Sequence, residues 1–258
     1  MKLYLHYFSI HIKSMLQYKT SAIMMFIGQF ITSFTALLSV YFMMSRFYSV
    51  KSFTLEEVFL CFGCVQLAFS LTECFARGFD DFSSMISNGE FDRIMLRPKG
   101  LVFQVLSSKV EFSRLGRTLQ AVLVFIYALI VADISWNPYK VFTLVFMVIG
   151  GISVFFGLFL INAALTFFTI EGLEVMHIFT DGSREFAQYP VSIYGKAILR
   201  FLTFVVPVAL FQYYPLLVLT GKSDSVLYML APVISGLFLI PSVLIWRFGV
   251  KHYKSTGS

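Results

Sequence analysis

The sequence predicts an all-α polytopic membrane protein with six transmembrane helices, and three observations predict it. Charged residues make up 13% of the 258 and hydrophobic residues 58%, whereas soluble domains carry roughly 25% charge. The apolar residues gather into runs of bilayer-spanning length, with a mean hydropathy of +0.80 over the chain. The Lys and Arg residues fall almost wholly on alternate connections between those runs.

Residues 1–20 come first. Lys2, His6, Ser9, Lys13 and Gln17 recur at helical spacing, with Leu5, Phe8, Ile12, Met15 and Leu16 on the opposite side. This is the pattern of an amphipathic helix with a basic face, the kind that lies in the headgroup plane. The stretch lacks the apolar region and cleavage site of a secretory signal, so the first apolar run reads as a retained span.

Five runs have the length and composition to cross: about 21–45, 58–76, 117–134, 141–170 and 226–246. A sixth, 197–219, carries Pro207 and Pro215 and is less regular. Six crossings put both termini on one side. All but four of the 20 Lys and Arg residues then share that side, the exceptions being Arg46, Lys51, Lys140 and Lys222. Basic residues near span ends are held in the cytoplasm, so both termini, including the tail at 247–258, read as cytoplasmic. The net charge of +6 follows from this topology and from anionic lipid, and no nucleic-acid partner is needed to explain it.

The connections on the far side, 47–57, 135–140 and 221–225, are too short for an ectodomain, since an independent module needs roughly 50 residues. Polar mass sits on the basic side, at 77–118 and 171–196. Within it, residues 88–100 read NGEFDRIMLRPKG. Asp80 and Asp81 are candidate caps for a helix over 82–87, and Asn88-Gly89 supplies the left-handed residue that ends it. Glu90 and Asp92 open a second helical turn, Arg93 and Arg97 close it in keeping with the helix dipole, and Pro98 stops it.

Inside the spans, Gln29, Gln66, Asn162 and Gln212 must each find a hydrogen-bond partner in hydrocarbon. Glu73, one turn from Arg77, reads either as half of an interfacial ion pair or as a pathway carboxylate. Together with Tyr213 and Tyr214 these residues form a candidate substrate pathway. Gly150, Gly151 and Gly157 favour close helix approach. Cys61, Cys64 and Cys74 read as small packing residues, because zinc needs about four ligands and the histidines are scattered at 6, 11, 177 and 252.

The pieces come in a fixed order: an amphipathic start, two spans, the segment GEFDRIMLRP followed by FQVLSS, then YP at 189–190, FVVP at 204–207, YYP at 213–215, and the tail WRFGVKHYKSTGS. In that order the chain resembles the permease subunits of type-2 ATP-binding-cassette exporters, a bacterial group in particular. The resemblance implies a coupling helix between spans two and three, over 80–98, that docks on a separate ATPase. Asp80, Asp81, Gly89, Glu90, Asp92, Arg93, Arg97 and Pro98 would make those contacts. It further implies a homodimer or a heterodimer with a related permease, in the bacterial cytoplasmic membrane, exporting a hydrophobic or amphipathic drug, lipid or peptide.

ATP and Mg would sit on the partner, and the chain's own residues agree. Gly221-Lys222-Ser223 has the last letters of a phosphate-binding loop, but Leu216 stands where its first glycine belongs. The resemblance also suggests a second layout, in which 171–188 is a polar fifth span and 189–219 dips into the outer leaflet as a hairpin. Hydropathy and the placement of Lys196 and Arg200 favour the simpler crossing at 197–219. Two other classes stay in view: a polytopic enzyme acting on a lipid-like substrate, and a non-transporting channel or sensor subunit. Neither an acid/base or metal spacing nor a repeated pore motif is visible in the sequence.

Overall fold

The computed structural model describes residues 2–47, 53–169 and 174–255, which are helical almost throughout. Parts of the expected connection at 47–57 and of the polar stretch at 171–188 lie outside them. The chain opens with α1 (Lys2–Gln17) and passes through a turn at Tyr18 into α2 (Lys19–Phe47). Phe8 and Ile12 of α1 pack toward Phe75, Val110 and Phe112, while Met15 and Leu16 of the same expected apolar face stay exposed.

α3 (Leu55–Asp80) starts at a reciprocal capping box. The Glu57 N–H donates to the Thr54 hydroxyl, and the Thr54 N–H donates to the Glu57 carboxylate at 2.9 Å. Two short helices follow, α4 (Phe82–Ser87) and α5 (Glu90–Met95), then α6 (Leu101–Ser108) and a single 3-10 turn at Phe112–Arg114. Next come α7 (Leu115–Val131), α8 (Pro138–Thr169), α9 (Glu174–Ala187), a second 3-10 turn at Val191–Tyr194, α10 (Lys196–Phe204) and α11 (Val208–Leu219). α12 (Val226–Ser235) and α13 (Leu239–His252) are joined through a 3-10 turn into one long segment.

Five of these segments are long and apolar enough to cross a bilayer, and α10 with α11 makes a sixth if counted as one span. The expected spans at 21–45, 58–76, 117–134, 141–170 and 226–246 thus map onto α2, α3, α7, α8 and α12–α13. α3 is the axis, buried on nearly every face and packed chiefly on α7 and α8. Phe62, Phe69, Phe79, Phe155, Phe159, Phe211 and Trp246 fill the interior, with many rings edge to face. Gly150 and Gly157 let α8 approach the last segment closely: a Cβ on either would lie within 2.8 Å of Pro232, Phe238 or Ser242 atoms.

The run expected at 197–219 consists of two helices and not of one regular helix. α10 and α11 are separate helices whose axes turn through 112° at the Val205–Pro207 break. Pro207 has no N–H to continue the ladder, and Val205 and Val206 both donate back to the Phe201 carbonyl. Beyond the turn α10 lies beside α11, with the Thr203 hydroxyl 3.2 Å from the Tyr214 hydroxyl. α11 spans only part of the bundle: Phe211 packs at Gly150 and Gly151, and the Leu219 carbonyl accepts from Lys140 Nζ at 3.1 Å, at the start of α8. α9 packs along the second half of α3, with Arg184 over the Phe69 ring and Gln188 leading to the Tyr189 carbonyl that Gln212 meets.

Candidate functional site

The Asp80 end of the bundle carries a helical hairpin made of α4 and α5. Asp81 occupies the N-cap position of α4, yet its carboxylate makes no capping bond. It pairs with Arg77 at 3.5 Å and with Lys109, and Asp80 pairs with Arg77. The expected capping role of the two aspartates is therefore corrected. A full opposite charge within reach holds a carboxylate more strongly than the partial charge at the end of a six-residue helix.

α4 and α5 join through Asn88-Gly89, and Gly89 adopts the left-handed conformation at φ 67°, as the sequence predicts. α5 ends at Met95, so Arg97 lies beyond it, in the turn that contains Pro98. The hairpin's inner side is aromatic. Phe82 and Phe91 are fully buried with ring centroids 5.1 Å apart, and both meet Phe167 of α8 and Trp246 of α13. Tyr253, just past α13, lays its ring on Phe91 at 5.1 Å and on Phe167 at 5.6 Å. Burial, and next the Asp92 carboxylate beside it, push the Tyr253 phenol up to about 12.

The hairpin's outer side is open. Glu90, Arg93, Arg97 and Pro98 are exposed, as are Met95 and Leu96, the last to 86%. Asp92 is engaged within the chain, accepting from the Ser255 hydroxyl at 2.7 Å. A groove of about 400 Å³ between α1, α5 and α6 is lined by Glu90, Arg93, Arg97, His11 and Gln104 among others. His11 Nε2 lies 3.1 Å from the Ser107 carbonyl and ties α1 to α6 there.

Next to this hairpin, toward the middle of α3, lies a network of buried charge. Glu73 accepts from Arg117 at 2.6 Å, with Arg114 at 3.6 Å and Arg77 at 3.9 Å. Gln29 of α2 accepts from Arg114 at 3.2 Å and from Arg117 at 3.0 Å. Glu111 spans Arg77 at 3.0 Å and Arg114 at 3.4 Å. From α9, Arg184 sits 4.8 Å above the Phe69 ring and pairs with Asp181 and Glu185. Charges removed from water at this density persist only when matched and hydrogen-bonded, so the network ties α2, α3, α7 and α9 together.

The residues expected to line a pathway separate into two groups. Gln29 and Glu73 meet in the charge network, where the expected Glu73–Arg77 pair is the longest of three contacts. Gln212, Tyr213 and Tyr214 gather in α11: Gln212 Nε2 donates to the Tyr189 carbonyl at 3.0 Å, and Tyr213 packs on Phe53. Gln66 and Asn162 are buried elsewhere, each with its side-chain oxygen unpaired. Sequence reasoning missed Arg114, Arg117, Glu111 and Arg184 as partners of the network. The three-residue spacing of Arg114, at the end of the 3-10 turn, and Arg117, in the first turn of α7, puts both on one side, but no local spacing connects residue 73 to residue 117.

Fold and site together define a multi-pass helical membrane protein with a braced, outward-facing hairpin at one end. The chain belongs to the ABC-2 family transporter proteins, whose family model matches residues 30–257. It is thus a membrane subunit of an ABC transporter, with the character of a permease and not of an enzyme. Searches among curated proteins and among solved structures return no match.

Proposed function

We propose that this chain is the permease of an export system whose separate ATPase subunit docks on the α4–α5 hairpin. The observation that carries the reading is the two-sided build of that hairpin. Its inner aromatic side is packed into α3, α8 and α13, while Glu90, Arg93, Met95, Leu96 and Arg97 face outward. A push on the outer side is transmitted to three long helices through rings that are close-packed and therefore stiff. ATP and Mg belong to the docking partner, and two permeases, identical or related, pair in the cytoplasmic membrane with their termini on the cytoplasmic side.

In this reading α9 is the fifth crossing and α10–α11 a re-entrant hairpin. A chain turned through 112° heads back toward the side it came from. Of the charges of α9, Arg184 is largely shielded, lying over the Phe69 ring on the side of Glu73 and paired with Asp181 and Glu185 of its own helix, which makes it tolerable at membrane depth. The apolar helix surfaces and their many Phe and Met residues suit a hydrophobic or amphipathic cargo.

Co-expression of the tagged chain with its ATPase subunit tests the docking site. Leu96→Asp and Arg93→Glu, both at exposed positions, are expected to release the ATPase during purification while leaving the chain's melting temperature unchanged. Full retention of the ATPase by both variants would sink the reading.

A further inference from the structure

A cavity of about 810 Å³ lies between the start of α6 and the last turns of α13. Its walls are of two kinds only. Leu101, Val102, Leu244 and Phe248 contribute apolar surface, Arg247 and Lys251 contribute charge, and no carboxylate lines it. The two cations are four residues apart on α13, one turn, and both are exposed. Neither joins an ion pair among the described residues.

Position narrows what the cavity takes. α13 ends the last bilayer-length segment, and Leu237, Ile240, Leu244 and Phe248 form an exposed apolar surface along it. The basic pair lies in the last turns of the segment, Arg247 next to Phe248 and Lys251 one turn further on, where a bilayer-length segment ends. A soluble acidic segment would match the charges and leave Leu244 and Phe248 unmatched; a neutral lipid would do the reverse.

We infer that this cavity binds an anionic phospholipid, with Arg247 and Lys251 on its phosphate and Leu244, Phe248, Leu101 and Val102 against the start of its acyl chains. The site rests on the membrane fold and needs no ATPase at the hairpin. Each cation contributes roughly a fivefold preference for the anionic headgroup, and added salt screens it.

Trp246 lines the cavity, and the sequence has one other tryptophan, Trp136. In a Trp136→Phe background, the full chain in bilayer nanodiscs is mixed with phosphatidylglycerol or phosphatidylcholine carrying brominated acyl chains, and quenching of Trp246 gives their relative affinity. Phosphatidylglycerol is expected to win by tenfold or more. That preference should vanish in Arg247→Gln/Lys251→Gln.

It should vanish also in Gly100→Glu, which keeps both cations and adds a carboxylate at the mouth, where a side chain meets nothing within 4 Å. Equal quenching by the two lipids in the parent chain overturns the assignment. So does a preference that survives the charge-neutral variant, or one erased by millimolar inorganic phosphate, which would make the site one for a soluble anion.

Discussion

At the scale of the residue, Glu73 concentrates the physics of this chain. A carboxylate at this depth is tolerable because Arg117, Arg114 and Arg77 surround it, and Gln29 accepts from one guanidinium nitrogen each of Arg114 and Arg117. Glu73→Gln is expected to cost about 3 kcal/mol in reversible unfolding by SDS, since it leaves buried cations uncompensated. The double variant with Arg117→Gln should cost clearly less than the sum of the two single changes, and strict additivity would mean that the pair is not coupled. Gly116 is a steric counterpart. A Cβ there would lie 2.1 Å from the Phe26 carbonyl oxygen, so Gly116→Ala forces α2 and α7 apart. Gly28, in the same helix pair, has nothing within 4 Å, and Gly28→Ala is expected to stabilise slightly through helix propensity. A melting temperature that falls for Gly116→Ala and holds or rises for Gly28→Ala checks this.

At the scale of the element, the α4–α5 hairpin shows what local sequence specifies and what it does not. Its turn at Asn88-Gly89 and its two-helix form were legible, because a left-handed residue and an apolar pair at 91 and 94 act over a few positions. Which of its charges face outward was not legible. Asp80 and Asp81 turn to Arg77 one helical turn back, Asp81 also to the distant Lys109, and Asp92 to the Ser255 hydroxyl of the tail. The hairpin has little stability of its own, being two helices of six residues, and depends on the ring cluster beneath it. Trp246→Ala, which empties the centre of that cluster, is expected to cost about 3–5 kcal/mol. It should also loosen the ATPase, whereas Trp246→Phe should largely restore both. Loss of stability with full ATPase retention would show that hairpin and bundle are not mechanically joined.

At the scale of the whole molecule, the open issue of the sequence was the path of residues 171–219. The bend of 112° between α10 and α11 and the packing of α9 along α3 are the observations on which the proposed re-entrant hairpin after a polar crossing rests. Cysteines placed at Lys196 and Ser223, in a background lacking the three buried native cysteines, report on it. Both are expected to react with a membrane-impermeant maleimide added to the same face of intact cells; labelling from opposite faces would restore the single crossing. Hydropathy favoured that crossing because averaging over 197–219 counts apolar residues and is blind to a reversal of direction at Pro207. It passes over 171–188 because that stretch holds six ionisable groups, of which the structure places Arg184 against the Phe69 ring.

By itself, the sequence determined that this is an all-helical membrane protein, where its five long apolar segments lie and where its turn signals fall. These follow from composition and short-range periodicity, which a linear chain carries in full. Only the tertiary structure decided how the polar residues inside those helices are matched and where the apolar run at 197–219 bends. Those outcomes depend on distances between groups tens of residues apart, and in a medium without water such distances decide which charges can be buried at all.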